Sequence, residues 1–416
     1  MRILWITNGE PDKAARHFNR KCYGASWLSY ASSRISQSSD VQLFILNCSQ
    51  NYDWIDIEGI QYHGFVEEDF LEALAPSIEK INPDVIHIWG TEYAHFKQTV
   101  DYAHEIGISE KIIVSIQGLV SIIDKYYCFD LPEYVIRRKT LYEVVRRTSI
   151  IDAHKALHKR GNLEKEGLKN VYRCIGRTDF DRAIVSQYNP QAKYYKCNEI
   201  LRESFYHNKW KYENCEKHSI VFSQTASILK GFHVLLEAIC IVKKFYPDVK
   251  VYAIGKSPFS YERISEKIKK PTFVSYLGEL IIKYNLLNNV EFVGYLEEKK
   301  MVKHYLRGNV FVCASGIENS SNSVGEAMYL GLPIVASDVG GIKTFLNHQE
   351  SGILYQSDSA NMLADGIIQV FENNEYAIRL GHNARERAQL IFDPQSNTEN
   401  LSGIYSDVIA TYKDWQ

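Results

Sequence analysis

Short apolar runs recur along the chain, each followed by a longer stretch with apolar residues at helical spacing. In the first half the runs are Met1-Arg-Ile-Leu-Trp-Ile-Thr7, Val41-Gln-Leu-Phe-Ile-Leu46, Asp84-Val-Ile-His-Ile-Trp89 and Lys111-Ile-Ile-Val-Ser-Ile116. Their length and β-branched content suit strands buried on both faces, and the helical segments between them predict a parallel, doubly wound α/β sheet. The pattern starts again at Ser219-Ile-Val-Phe-Ser223. It continues through a helix near Gly231–Phe245, then Val249–Ile254, Val290–Gly294, Val310-Phe-Val-Cys-Ala314 and Pro333-Ile-Val-Ala336. Between Cys197 and Glu216 the periodic apolar pattern gives way to Asn, Lys, Tyr and charged residues, which predicts a boundary there. The expected organisation is a first α/β domain over residues 1–205, a second over 206–395, and a terminal helix over 396–416 with Leu401, Ile404, Tyr405, Val408, Ile409 and Tyr412 on one face.

Composition narrows the class without changing that picture. A chain of 416 residues exceeds one ordinary core, and its 45% hydrophobic and 24% charged residues are usual for globular proteins. A formal charge of -2 excludes a strongly electrostatic nucleic-acid partner for the chain as a whole. The eight cysteines are scattered, with no Cys-x-x-Cys pair, and neither a signal peptide nor a membrane-length apolar run is apparent. Reduced thiols and a cytoplasmic location are the expectation.

The most informative stretch is Glu318-Asn-Ser-Ser-Asn-Ser-Val-Gly-Glu326, running on to Val339-Gly-Gly341. It lies between two predicted strands and contains one helix, opened by Ser320, Ser321, Asn322 and Ser323 and closed by Gly331 and Pro333. A helix start fronted by small polar residues holds a phosphate through its amides and the positive end of its dipole. Glu318 and Glu326 flank that anion site, and carboxylates accept from ribose and hexose hydroxyls.

Glu, seven residues, Glu, then Ala-Met, Gly-Leu-Pro-Ile-Val-Ala-Ser and Val-Gly-Gly resembles the donor-site signature of the retaining nucleotide-sugar glycosyltransferases of family four. The resemblance implies the GT-B fold, two Rossmann-like domains facing a central cleft with a C-terminal helix crossing back. It also implies that Glu318 meets the transferred sugar and Glu326 the ribose of a nucleotide-diphosphate sugar, with no metal or other cofactor. The family commonly has Gly-Phe-Gly after the first Glu, where this chain has Asn319-Ser320-Ser321-Asn322. Lys230, before Gly231, is implied to meet the diphosphate as a point charge. The family's Arg five or six residues earlier is replaced by Gln224 and Thr225, with Arg177 a possible substitute.

In the first half, Gly24 stands where the family has a Gly pair at a turn after the first strand, and an ordinary loop explains it equally. His87, Glu92 and His95 lie at or beyond the carboxyl end of a strand, where open α/β sheets bind ligands, and Gln117 occupies that place one strand later. A core histidine is the plainer reading of His87. Asp179-Phe-Asp181 has the Asp-x-Asp form of a divalent-cation site, but Thr178 or Asp179 as a helix cap explains it better.

The segment 137–160 carries eight Lys or Arg against Glu143 and Asp152, with tyrosines nearby. It reads either as a solvated helical face or as a contact with an anionic membrane or lipid diphosphate. The functional expectation is transfer of a sugar, with retention, to a hydroxyl of a saccharide or lipid-linked saccharide in surface polysaccharide or glycoconjugate assembly. A nucleotide-sugar epimerase of the same architecture and a non-catalytic carbohydrate-binding protein are the alternatives.

Overall fold

The computed structural model describes residues 1–20 and 26–413. The chain divides into two compact units. One comprises Met1–Ile122, His158–Glu203 and Phe392–Gln416, and the other Ile123–Leu157 and Ser204–Ile391.

The first unit holds eight strands: β1 (Arg2–Thr7), β2 (Gln42–Cys48), β3 (Tyr52–Ile57), β4 (Ile60–Phe65), β5 (Val85–Trp89), β6 (Ile112–Ser115), β7 (Arg173–Gly176) and β8 (Lys193–Lys196). They form one sheet in the order β3-β4-β2-β1-β5-β6-β7-β8, parallel except for the β3/β4 pair. The chain winds outward from β1 to one side, then returns to place β5 on its other side. That reversal leaves a crevice beyond the carboxyl ends of β1 and β5. Strand β5 is buried along its whole length, which is why it reads as a continuous apolar run. The β3/β4 hairpin turns at Glu58 (φ 54°) and Gly59 (φ 79°), and its first strand alternates weakly.

The second unit holds β9 (Ser219–Ser223), β10 (Lys250–Ile254), β11 (Val290–Gly294), β12 (Val310–Cys313), β13 (Ile334–Ser337) and β14 (Ile353–Tyr355). Its order is β11-β10-β9-β12-β13-β14, all parallel, so the reversal falls between β9 and β12. Helices Phe232–Val242, Thr272–Lys283 and Ala360–Glu372 bury Val234, Leu277 and Ile367 in a core shared with Phe222 and Val312.

One feature differs from the division expected from the sequence. Residues 123–157, placed in the first domain by their position in the chain, pack with the second unit because Leu131, Val135 and Ile150 enter its core. Glu143 strengthens that attachment by accepting from the Thr272 amide at 2.8 Å and the Thr272 hydroxyl at 2.6 Å. The terminal helix, Pro394–Lys413, packs in the first unit, where Leu401, Ile404, Tyr405 and Val408 are buried. Tyr405 Oη there accepts from Trp5 Nε1 at 2.9 Å.

Candidate functional site

The reversal between β9 and β12 brings together residues nearly 90 positions apart. Lys230 follows β9 on a single turn, Ile228–Lys230, that ends at Gly231 in the left-handed region (φ 70°). A Cβ on Gly231 would come within 1.9 Å of the Ala314 carbonyl oxygen, so only glycine fits this close approach. The Gly316 amide donates to Leu229 O at 2.8 Å, locking the loop after β12 to the loop after β9. Lys230 Nζ consequently lies 2.5 Å from Glu318 Oε1, and Ser315 Oγ donates to the same oxygen at 2.7 Å.

Glu318 is held from the other side by the Val339-Gly340-Gly341 turn. The Gly341 amide donates to Glu318 O at 3.0 Å, and Gly340 (φ 52°) approaches so closely that a Cβ would lie 1.9 Å from that carbonyl oxygen. Burial opposes the charged form of Lys230, but Glu318, with a smaller contribution from Cys313, outweighs it and raises the Lys230 pKa. Burial and the Glu318 charge push the Cys313 thiol up to about 11, so it is a neutral neighbour.

The helix Asn322–Leu330 starts beside this pair, with Ser321 as its N-cap. Ser321 Oγ engages Ser323 Oγ at 3.0 Å and makes no capping bond to the first turn. Glu326 sits in this helix and is 2% exposed. Among the described residues the Ser320 hydroxyl is buried without a hydrogen-bond partner, and so is that of Thr225, which follows the adjacent strand β9. Gln224, between β9 and Thr225, adopts φ 62°, a conformation costly for a non-glycine residue. The structure therefore gathers Lys230, Glu318, Glu326, Ser320, Ser321, Asn322, Ser323 and Gln224 at one strand-end crevice of the second unit. The Thr225 hydroxyl is the addition that the sequence marks only as a missing Arg. Gly24 lies outside the described residues.

The first unit has its own strand-end cluster. Asn8, just after β1, donates through Nδ2 to Glu92 Oε2 at 2.7 Å, and its Oδ1 lies 2.8 Å from His95 Nε2. His95 Nδ1 faces Glu67 Oε2 at 3.3 Å, a bond that lowers the Glu67 pKa. Burial, aided by the charge of Glu164, raises the Glu92 carboxyl to about 7. Asn8 and Glu67 carry no motif, and only the turn chemistry after β1 could have flagged Asn8.

Three first-unit residues are otherwise employed. His87 is fully buried, with Nδ1 2.6 Å from Tyr405 Oη and Nε2 2.7 Å from Ser115 Oγ, and burial lowers its pKa to about 3. It is a core histidine and not a cleft residue. Arg177 pairs with Glu199 at 2.7 Å, both nearly buried, so its charge is matched within the first unit. Gln117 Nε2 donates to the other Glu199 oxygen. The cavity that Arg177 and Glu199 line with Trp27 and Trp89 is about 30 Å³, room for roughly one or two waters and too small for a sugar ring. Asp181 is buried in a reciprocal cap with Thr178, opening helix Asp179–Tyr188, which removes it from any Asp-x-Asp cation site. Among the described residues no cluster of His, Cys, Asp and Glu has metal-holding geometry.

Residues 205–387 match the family model of glycosyl transferases group 1, a segment that includes Lys230, Glu318 and Glu326. Spore coat protein SA of Bacillus subtilis (strain 168) is 24% identical over 378 residues, covering 89% of this chain and 91% of that protein. Among solved structures, sucrose-phosphate synthase from Thermosynechococcus elongatus superposes with a TM-score of 0.74 at 16% identity, over 99% of this chain and 100% of the other. Anabaena Alr3699/HepE in complex with UDP-glucose superposes at 0.66 with 16% identity, over 98% and 100%. The fold is GT-B, two parallel-sheet α/β domains, and the segment 205–387 of the chain is similar to the glycosyl transferases group 1.

Proposed function

We propose that the chain is a retaining, metal-independent glycosyltransferase. It moves a sugar from a nucleotide-diphosphate sugar to a hydroxyl of a saccharide or lipid-linked saccharide in cell-surface polysaccharide or glycoconjugate assembly. The observation that carries this reading is the Lys230–Glu318 pair beside the start of helix Asn322–Leu330, at the point where the second sheet reverses direction. Lys230 and the amides of residues 320–324 meet the diphosphate. Glu318 accepts from the transferred sugar, and Glu326 from the ribose. The buried hydroxyls of Ser320 and Thr225 lack partners among the described residues and donate to phosphate oxygens, supplying part of what an Arg at Thr225 would have supplied.

Negative charge grows on the leaving diphosphate as the glycosidic bond breaks. Fixed donors aimed at it stabilise the transition state more than the bound donor, which raises turnover. The acceptor hydroxyl attacks from the face the phosphate leaves, and the leaving phosphate oxygen takes its proton. No protein carboxylate is then required as a nucleophile. A uridine nucleotide is the first donor to test, because HepE is described in complex with UDP-glucose. The basic segment 137–160 adds peripheral contact with an anionic membrane, at its inner face, to this reading.

Glu326→Ala should raise the donor KM and lower turnover, read from initial rates across donor concentrations. Unchanged rates at low donor concentration would remove Glu326 from the ribose and this reading with it.

A further inference from the structure

The short helix Leu141–Arg146 is amphipathic in the wrong sense for a helix serving a core. Leu141, Val144 and Val145 stand at the i, i+3 and i+4 spacing that puts them on one face. They are 86%, 54% and 80% exposed. The opposite face carries Glu143, which is buried and spent on anchoring the helix. Its carboxylate accepts from the Thr140 amide at 2.8 Å in a reciprocal cap and from Thr272 of the same unit. The turn is therefore fixed to its unit by the polar side and presents its apolar side outward. A single exposed apolar side chain needs no explanation, but three on one face of a short helix do.

Charge identifies what would cover them. Residues 137–147 contain Arg137, Arg138, Lys139, Arg146 and Arg147 against Glu143 alone, and that one acid faces inward. Arg137 and Arg138 have carboxylate partners at 2.5 Å, Glu133 and Glu279. Lys139, Arg146 and Arg147 are exposed and have no ion-pair partner among the described residues. Exposed apolar side chains flanked in the chain by cations without ion-pair partners match an anionic lipid surface, with acyl chains meeting the apolar face and phosphate headgroups the cations. No helix among the described residues is long and apolar enough to cross a membrane, so this contact would be interfacial.

We propose that Leu141, Val144 and Val145 insert into an anionic bilayer while Lys139, Arg146 and Arg147 bind its headgroups. The inference deepens the membrane contact of the proposed function by assigning it to one helix of the second unit, and it does not depend on the transfer chemistry.

Cosedimentation of the full chain with phosphatidylcholine vesicles, with and without phosphatidylglycerol, tests it. Binding is expected to the anionic vesicles only. Leu141→Ser with Val145→Ser should weaken it at least about tenfold, and Arg146→Gln should weaken it about fivefold. In Leu141→Trp, emission should shift to the blue on anionic vesicles. Wild-type chain that binds neither vesicle, or double-variant chain that binds as tightly as wild type, would overturn the proposal. So would concentration-dependent self-association abolished by the same double variant, since the face would then belong to a second copy. Donor binding measured without vesicles separates the two readings: its loss in wild type defeats the transferase reading, and a lack of vesicle binding with donor binding intact defeats only this one.

Discussion

At the scale of single residues, the site depends on what each polar group is already doing. Lys230 and Glu318 engage each other beside the start of helix Asn322–Leu330, whereas Arg177 pairs with Glu199 and His87 with Tyr405 and Ser115. Glu92 is a third kind, a carboxyl whose pKa burial raises from 4.5 to about 7. A raised carboxyl pKa means the folded state holds its proton where the unfolded chain has lost it. Its contribution to stability is full below pH 4.5 and is lost as pH rises through about 7. Melting curves of wild type and Glu92→Gln across that window should show the difference between them change in that direction and level off above it. A constant difference would mean that Glu92 titrates as an ordinary surface acid. The Glu pair and Lys230 are legible in the sequence because their chemistry is tied to a motif. The fates of His87 and Arg177 are not, because Tyr405 and Glu199 lie far along the chain and nothing local announces them.

At the scale of elements, the turns around β9, β12 and β13 set the geometry. Gly231 and Gly340 each pass a carbonyl oxygen at a distance no Cβ tolerates, and each fixes one partner of the Lys230–Glu318 pair. Gly340→Ala should therefore cost more than an ordinary glycine-to-alanine change, about 1–3 kcal/mol for the strained conformation alone. It should also lower turnover by moving Glu318. A denaturant titration with parallel rate measurements checks both, and a variant with native stability and rate would show that the turn relaxes freely. The long apolar strands and the helix between Ser321 and Gly331 are legible because their periods and caps are local. The hairpin of β3 and β4 and the short β7 and β8 are harder to read. β8 is a polar edge strand, and β7 is four residues long with a buried Arg173.

At the scale of the whole chain, two doubly wound sheets are readable from the repeated alternation of strand and helix, and the break near residue 204 from the loss of apolar periodicity. The assignment of residues 123–157 to the second unit is not readable, since it rests on Leu131, Val135 and Ile150 reaching a core built by residues far along the chain. Each sheet reverses direction once, and each reversal carries a polar cluster, Asn8 and Glu92 in the first unit and Lys230 and Glu318 in the second. The second is the proposed donor site. The most direct test is thermal stabilisation by a panel of nucleotide sugars, uridine nucleotides first, in the presence of a chelator. At least one donor should raise the melting temperature of wild type, by the equivalent of ~2.7 kcal/mol at a hundredfold excess over its Kd, and should lose most of that effect in Lys230→Ala. Stabilisation by no nucleotide sugar, or stabilisation that survives Lys230→Ala undiminished, would contradict the donor site described here.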